Sequence, residues 1–282
     1  MKPTVETTTY RGLDAWQLTG PDGSRAVVSA LGGQLLSWQT ADGREHLFLS
    51  ERAVVDGSLP IRGGVPVCFP QFAGLGDLPK HGFLRTRIWQ LESQRSGDDF
   101  ALLTLRVTDD EASRALWPHA FTVELSVMLE AGRLEIELSV DNSGETPFAF
   151  TGALHTYLRT QEVEDVSLKG LYGLDYRDTA AGDVHRRETG TELTVDREID
   201  RIYFALPRPL HLEAGSLSLG IQQTHFPDVV VWNPWVERCV AFADMPEGGW
   251  RHMLCVEAAV VGQPVDLAPG ENWHGRQTLV CL

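Results

Sequence analysis

Hydrophobic and polar residues alternate with a period of two along much of the chain, which is the pattern of strands with one buried face. In residues 121–129 (FTVELSVML) and 134–140 (LEIELSV), every second residue is apolar. The four residues between these segments, EAGR, have the length and the glycine of a tight hairpin turn. The two segments therefore predict an antiparallel hairpin with one face in the core.

Similar alternation, or a short apolar run bounded by Gly, Pro and Asp, predicts strands elsewhere along the chain. These strands are expected at residues 26–30, 35–40, 45–49, 100–107, 148–158, 166–171, 192–195, 210–213, 217–223, 229–232, 253–261 and 277–282, and another begins near Asp200. A single short helix is predicted at residues 110–116, because acidic residues at its start favour the positive end of the helix dipole and Pro118 stops it.

Many short strands without alternating helices indicate an all-β fold, specifically a large antiparallel β-sandwich with few short helices. The chain of 282 residues has no Ser/Gly linker, no charge block and no internal repeat that would divide it. We therefore expect residues 1–282 to form a single domain.

The charge of the chain limits its partners. The formal net charge is −15 and no basic stripe occurs, so the sequence is not that of a nucleic-acid-binding protein. Its first residues lack the apolar core of a signal peptide, and no run approaches the roughly 20 apolar residues that cross a bilayer. We expect a cytoplasmic protein that contacts no membrane. A monomer is favoured because no exposed hydrophobic seam is obvious.

The four cysteines agree with a reducing compartment. They are widely spaced, form no CxxC pair and mostly lie in apolar runs: Cys68, Cys239, Cys255 and Cys281. Buried free thiols are the simplest interpretation.

The segment from Ile61 to Trp89 combines prolines, glycines, aromatic residues and five basic residues. Its composition predicts an irregular but packed loop, and long packed loops often carry function. Two interpretations remain open here. The segment is either an anion-binding loop or a proline-rich connection whose arginines pair with nearby carboxylates.

Two ionisable residues lie where packing alone would favour apolar ones. His155 follows an apolar run within the 148–158 segment, on the same strand face as Tyr157. Glu257 lies inside MLCVEAAVV, where an ionised carboxylate costs several kcal/mol unless it is paired or opens onto a cleft. A structural histidine, and a core arginine paired with the glutamate, are the alternatives to a catalytic role.

Other chemical motifs are missing or weak. The sequence has no nucleotide-binding GxxxxGK[ST], no HExxH and no GxSxG, so phosphate-loop, zinc-protease and serine-hydrolase chemistry are not indicated. No metal site or cofactor is expected. Asp200 at a strand start and Asp228 before another strand are by themselves typical turn residues.

Six motifs in order along the chain resemble those of the D-hexose-6-phosphate mutarotases, a branch of the aldose 1-epimerase superfamily. The motifs are RGGVPVCFPQF, PKHGFLRTRIW, ALHTYL, IDRIY, DVVVWNPW and DMPEGGWRHMLCVEAAVV. They extend from Ile61 to Val261 and so cover most of the chain. The resemblance implies a galactose mutarotase-like β-supersandwich that uses neither metal nor cofactor.

The resemblance also implies a role for individual residues. By their motif positions, His155 would be the general acid and Glu257 the general base, with His81 as a sugar contact and second candidate for the acid. Asp200 would hold sugar hydroxyls. Arg62 and Arg85 would lie near the 6-phosphate, with Lys80 and Gln71 as weaker carry-overs, while Arg87 and Asp228 are left open. Phe69 stands where the family often has tryptophan.

The implied reaction interconverts the α and β anomers of a hexose 6-phosphate. Glu257 would take the proton of the anomeric hydroxyl while His155 protonates the ring oxygen. The ring then opens, and it re-closes on the other carbonyl face after rotation about C1–C2. Such catalysis is most effective when the histidine titrates near neutral pH. Two alternatives are a mutarotase for unphosphorylated aldoses and a carbohydrate-binding or regulatory protein that has lost turnover.

Overall fold

The computed structural model describes residues 1–282 and is built mainly of β-strands. The first eleven strands are β1 (Thr4–Tyr10), β2 (Leu13–Thr19), β3 (Arg25–Ser29), β4 (Leu35–Gln39), β5 (Val67–Cys68), β6 (Gln90–Ser96), β7 (Ala101–Thr108), β8 (Thr122–Glu130), β9 (Arg133–Asp141), β10 (Phe148–Leu154) and β11 (Tyr157–Arg159). The other ten are β12 (Val166–Lys169), β13 (Asp175–Asp178), β14 (Val184–Arg187), β15 (Glu192–Leu193), β16 (Ile199–Tyr203), β17 (Leu210–Ala214), β18 (Leu217–Thr224), β19 (Asp228–Asn233), β20 (Met253–Leu267) and β21 (Asn272–Cys281).

Helices are few and short. The α-helices are α1 (Glu111–Leu116) and α2 (Trp235–Cys239), and 3₁₀ helices occur at Leu84–Thr86, Val163–Asp165 and Gly249–His252. None of these helices has the length and apolar character required to cross a bilayer.

The strands form three antiparallel sheets, which confirms the predicted all-β class. One sheet has the order β1-β2-β3-β4, and another has the order β15-β12-β17-β18-β21-β9-β8-β7-β6. The third, here called the site sheet, has the order β14-β13-β16-β19-β20-β10-β5, with β11 also paired to β20.

The largest hydrophobic cluster, of 61 buried residues, draws on all three sheets. Strand β8 shows how the sequence builds it, since its buried and partly exposed residues alternate strictly along the strand. Across the layers, the ring of Phe150 on β10 lies 5.5 Å from the ring of Trp273 on β21. The two large sheets therefore pack as a sandwich around this core.

The predicted hairpin and helix are both confirmed. Glu130 pairs with Arg133 at the turn between β8 and β9. The helix α1 begins after Asp110, whose carboxylate accepts a hydrogen bond of 2.7 Å from the backbone N–H of Ser113. This N-cap satisfies a donor that the first turn of a helix would otherwise leave free.

Some predicted boundaries differ from the structure. Residues 45–49 form only isolated bridges, for example Leu47 with Leu158, rather than a strand. The predicted strand 148–158 is broken between β10 and β11 at His155 and Thr156. The sequence pattern does not predict strands β6 and β14, because nearly all of their residues are exposed and show no apolar alternation.

The segment from Ile61 to Trp89 is irregular and packed, as predicted. It contains only the two-residue strand β5 and one 3₁₀ turn, yet Ile61, Phe69 and Leu84 are almost fully buried. Gly82 lets the chain reverse, with φ of +70° and a backbone so close to the Phe69 carbonyl that any side-chain carbon would overlap it. The loop is therefore held rigidly against the end of the site sheet.

We expect Gly82→Ala to destabilise the protein by more than about 3 kcal/mol, because the new methyl group adds a steric overlap to an unfavourable φ. Gly12→Ala is the matched control, since Gly12 has φ of +85° but no atom lies within 4 Å of the place that its new methyl carbon would take. That control should lose only about 1 kcal/mol. Chemical denaturation of both variants measures the difference, and equal losses would contradict the packing of this turn.

Candidate active site

One face of the site sheet forms the floor of a cavity of about 470 Å³, a size typical of small-ligand sites. On this sheet Glu257 lies opposite Val230, and Trp232 lies opposite Asp200. Because alternate residues of a strand face the same side, β16, β19 and β20 present these side chains to one cavity.

The packed loop supplies the cations at the cavity wall. The polar and charged residues lining the cavity are Arg62, Lys80, His81, Arg85, His155, Tyr157, Asp200, Arg238, Asp244 and Glu257. The structure thus brings six of the seven predicted site residues together, since all but Gln71 are in this set.

His155 lies at the break between β10 and β11. Its backbone N–H donates to Pro66 O at 2.9 Å, which ties the break to the packed loop. The imidazole stacks on the Tyr157 ring, with centroids 4.8 Å apart and planes 11° from parallel. The His81 ring is 5.3 Å away, edge to face. His155 is consequently fixed in orientation by contacts on both sides.

His155 and Glu257 face each other deep in the cavity. Their atoms Nδ1 and Oε1 are 3.4 Å apart, and only 8% and 1% of the two residues is exposed. The two groups are not aligned for a hydrogen bond, and His155 Nδ1 and Glu257 Oε2 both lack a partner. No arginine pairs with Glu257, so the core ion pair considered as an alternative is not found. Unsatisfied polar atoms at this depth indicate a site built for a ligand.

Burial shifts the two pKa values in opposite directions. It raises the pKa of Glu257 well above its usual range, and Asp200 adds a like charge. Burial also lowers the pKa of His155 well below its usual value, and His81, Arg85 and Arg62 act in the same direction. In the ligand-free site both shifts therefore favour the uncharged forms, a protonated carboxyl and a neutral imidazole. The lowered pKa of His155 in the ligand-free site differs from the expectation that this histidine titrates near neutral pH.

Arg62 already has a carboxylate partner. Its Nε and Nη2 donate to the two carboxylate oxygens of Asp244, both at 3.1 Å, and its Nη1 donates to Tyr157 Oη at 3.4 Å. The guanidinium also lies over the Phe242 ring, 4.6 Å from its centroid. This bidentate pair holds Arg62 in place and compensates its charge.

The other cations differ in how they are paired. Arg238 forms ion pairs with Glu198 and, at 3.7 Å, with Asp200 Oδ2. Arg85 donates from Nη2 to the Lys80 carbonyl at 2.7 Å, and its buried Nε has no partner. Neither Arg85 nor Lys80 forms an ion pair with a carboxylate. The cavity therefore has uncompensated positive charge on the packed loop.

Three residues considered from the sequence lie outside the cavity lining. The Gln71 amide donates to the carbonyls of Ala73 and Leu78, both at 3.1 Å, so it shapes the loop. Arg87 pairs with Asp110. Asp228 accepts hydrogen bonds from backbone N–H groups at the end of the apolar part of β20.

Sequence reasoning missed two lining residues, Arg238 and Asp244. Arg238 lies in the short helix α2, and Asp244 lies in the loop that follows it. Only the ion pair between Asp244 and Arg62, 182 positions apart, reveals their place in the cavity. The start of the DMPEGGW motif was the one available signal for Asp244.

One group of side chains has metal-ligating atoms close together. These atoms, from His155, Cys255 and Glu257, lie within 4.8 Å of one another. Burial raises the pKa of Cys255 well above its usual value, so its thiol is protonated. An ion would therefore have to displace that proton, because the thiolate is the form that ligates metal.

The sequence profile of the family described as Aldose 1-epimerase matches residues 14–279. The chain belongs to the aldose 1-epimerase family. The match confirms the family resemblance over nearly the whole chain.

Two relatives and one crystal structure show which members of the family this chain is similar to. A protein of Cenchrus ciliaris is 34% identical over 96% of this chain and 85% of its own length. One of Escherichia coli is 32% identical over 90% of this chain and 86% of its own. Both carry provisional names as glucose-6-phosphate 1-epimerases. A crystal structure from Salmonella typhimurium, provisionally named a mutarotase, aligns with a TM-score of 0.90 at 28% identity, over 98% of this chain and 93% of that chain. The mutarotase-like β-sandwich is confirmed.

We expect Glu257→Gln to be more stable than the wild type at pH 8, by at least about 1 kcal/mol, and about equally stable near pH 4, below the unfolded pKa of the carboxyl. The folded state holds the Glu257 proton more tightly than the unfolded chain does. The wild type therefore loses stability as pH rises from the unfolded pKa of the carboxyl towards its raised folded pKa, and glutamine does not titrate. Urea denaturation at both pH values measures this.

The control is Glu213→Gln, because Glu213 is an exposed carboxylate whose pKa is lowered, first by its hydrogen bond from Lys169. That variant should show no gain as pH rises. A pH-independent difference between Glu257→Gln and wild type would contradict the raised pKa of Glu257.

Proposed function

We propose that this aldose 1-epimerase family member interconverts the α and β anomers of a hexose 6-phosphate, with glucose 6-phosphate as the preferred substrate. The observation that carries the proposal is the buried pair of His155 and Glu257, with unpartnered polar atoms, in the same cavity as two cations that lack carboxylate partners. The names of the Cenchrus ciliaris and Escherichia coli relatives support the same substrate.

In the proposed mechanism Glu257 takes the proton of the anomeric hydroxyl and His155 donates one to the ring oxygen. The C1–O5 bond breaks to give the open-chain aldehyde, which turns about C1–C2 and closes on its other face with both transfers reversed. No covalent intermediate is needed. Positioned acid and base groups of this kind typically contribute about 10² to 10⁴-fold in rate.

The pair needs only one proton for the whole cycle. With the ring closed the reactive form is the Glu257 carboxylate with the His155 imidazolium, and ring opening leaves a carboxylic acid facing a neutral imidazole. The second form is the one favoured in the ligand-free site by the opposite pKa shifts of the two groups. Nδ1 and Oε1 are 3.4 Å apart but not aligned for a hydrogen bond in the ligand-free site. In the proposed cycle substrate binding aligns them, and the proton then returns to His155.

The 6-phosphate is proposed to bind at Arg85 and Lys80, with Arg62 completing the site. Arg85 has a buried Nε without a partner, and neither Arg85 nor Lys80 forms an ion pair with a carboxylate. Arg62 keeps Asp244 as its counter-ion, so its contribution is smaller. Charge-assisted hydrogen bonds at this range outweigh the repulsion from a net charge of −15, which salt screens beyond about 10 Å.

The remaining residues are given supporting roles. Asp200 is proposed to bind sugar hydroxyls and His81 to contact a sugar oxygen, since both line the cavity beside the pair. Gln71 is proposed to act by holding the loop rather than by touching substrate, because its amide is hydrogen-bonded to loop carbonyls.

The proposal extends to the partners, the compartment and the oligomeric state of the protein. A small sugar phosphate is the expected partner, without nucleic acid, given the strongly acidic chain. Four free cysteines support a cytoplasmic, reducing compartment. A monomer is expected, and a mass measurement in solution tests it.

We expect the protein to accelerate the approach of freshly dissolved glucose 6-phosphate to anomeric equilibrium, as followed by polarimetry or exchange NMR. Glu257→Gln and His155→Ala should each lose about 10²-fold or more in kcat, because each removes one proton-transfer group. Binding of the sugar phosphate should persist in Glu257→Gln. A folded protein that accelerates neither glucose nor its phosphate would favour the catalytically silent binding protein.

Phosphate recognition is tested by comparing glucose 6-phosphate with glucose. Arg85→Ala should raise KM for the phosphorylated sugar about tenfold or more and leave the rate on glucose unchanged, because it removes a charge-assisted contact. Arg62→Ala should act in the same direction but less strongly.

The matched control is Arg87→Ala, two residues from Arg85 but paired with Asp110 outside the cavity. This variant should alter neither reaction. Equal effects of Arg85→Ala on both sugars would remove the phosphate role and favour a mutarotase for unphosphorylated aldoses.

A further inference from the structure

Two donors converge on one nitrogen of His81. The Cys68 thiol lies 3.2 Å from His81 Nδ1, and the backbone N–H of Ala73 donates to the same atom at 3.3 Å. The backbone N–H of His81 in turn donates to the Ala73 carbonyl at 2.8 Å. Cys68 is fully buried in strand β5, so its Sγ cannot turn away into solvent.

These contacts determine the tautomer of the ring. A backbone N–H can only donate, so the Ala73 N–H favours a lone pair on Nδ1, but its distance of 3.3 Å is long for a hydrogen bond. The S–H of Cys68, 3.2 Å from the same atom, is the second donor that holds the lone pair there. In a neutral imidazole the single proton is then on Nε2. This nitrogen has no hydrogen-bond partner within the protein, and His81 lines the cavity. A ligand is therefore presented with an N–H donor.

The surroundings of the ring keep it uncharged. The titratable and charged groups around it are Cys68, His155 and the cations Arg85, Lys80 and Arg62. Burial and the three cations lower the pKa of His81 to about 3. A proton added at Nδ1 would also face the Ala73 N–H, which can only donate.

We propose that Cys68 is a positioning residue that holds His81 as the Nε2–H tautomer, a fixed neutral hydrogen-bond donor to the sugar oxygen on which negative charge develops during ring opening. His81 then does not serve as the proton-donating acid, which leaves that role to His155. The catalytic part of this inference rests on the proposed function, whereas the tautomer can be measured without turnover.

The first test is the tautomer itself. Long-range ¹H–¹⁵N correlation spectra of the ligand-free wild type should show the His81 proton on Nε2 and no titration of the ring between about pH 5 and 8. The signal is assigned by its loss in His81→Asn. A proton on Nδ1, or a ring that titrates in this range, would overturn the proposal whether or not the protein turns over any sugar.

The second test separates positioning from packing. Cys68→Ala leaves only the long Ala73 contact at Nδ1. It should therefore raise the fraction of the Nδ1–H tautomer, lower kcat about 5- to 10-fold with little change in KM, and move the acid limb of the pH profile to higher pH. Cys68→Ser retains a donor and should restore the tautomer, most of kcat and the wild-type acid limb.

Cys281→Ala is the matched control, because Cys281 also contacts a histidine, His46, at 3.9 Å but lies outside the cavity. It should leave kcat and the pH profile unchanged. If Cys68→Ala is folded and keeps the wild-type His81 tautomer and acid limb, the positioning role is wrong. If the tautomer changes while kcat stays the same, the donor role of His81 in the reaction is wrong.

Discussion

The burial of a carboxyl group without a cationic partner is the constraint on which the rest of the structure depends. Glu257 lies in the centre of an apolar strand, and the free-energy cost of ionising it there is large. Burial favours the protonated form of this carboxyl, and it also disfavours the charged form of the His155 imidazole, which lies 3.4 Å away. The same arrangement that makes the position unfavourable for stability gives two groups that can exchange a single proton.

The surrounding structure supports this pair by rigid contacts. The floor comes from paired strands with a fixed register, and the wall comes from a loop whose prolines, glycines and buried aromatic residues leave it little freedom. At the break between β10 and β11, the backbone N–H of His155 donates a hydrogen bond to the Pro66 carbonyl of that loop. Cations in the wall then create a local positive field inside a strongly acidic chain. A rigid scaffold with local charge is the arrangement expected for electrostatic recognition and acid-base chemistry.

Much of this could be predicted from the sequence. Alternation in strands such as β8 and β9 predicts a two-layered β-fold, and the apolar setting of Glu257 and the composition of the packed loop mark the cavity. Strands such as β6 could not be found, because exposed strands carry no apolar period. The pairing of Arg62 with Asp244 could not be predicted from the sequence either, since the two residues are 182 positions apart. Gln71 shows another limit of sequence-based prediction. Its position in a family motif does not say whether its amide faces a ligand or its own loop.

The ion pair between Asp244 and Arg62 has a consequence for selectivity among anions. A carboxylate that already occupies Arg62 must be displaced or shared by any incoming anion, so a small free anion gains less from this arginine than its charge alone would suggest. A larger molecule that also fills the floor gains additional contacts with Trp232 and Asp200. Asp244 thus acts as a competitor for Arg62 alone, and small anions are left to Arg85 and Lys80.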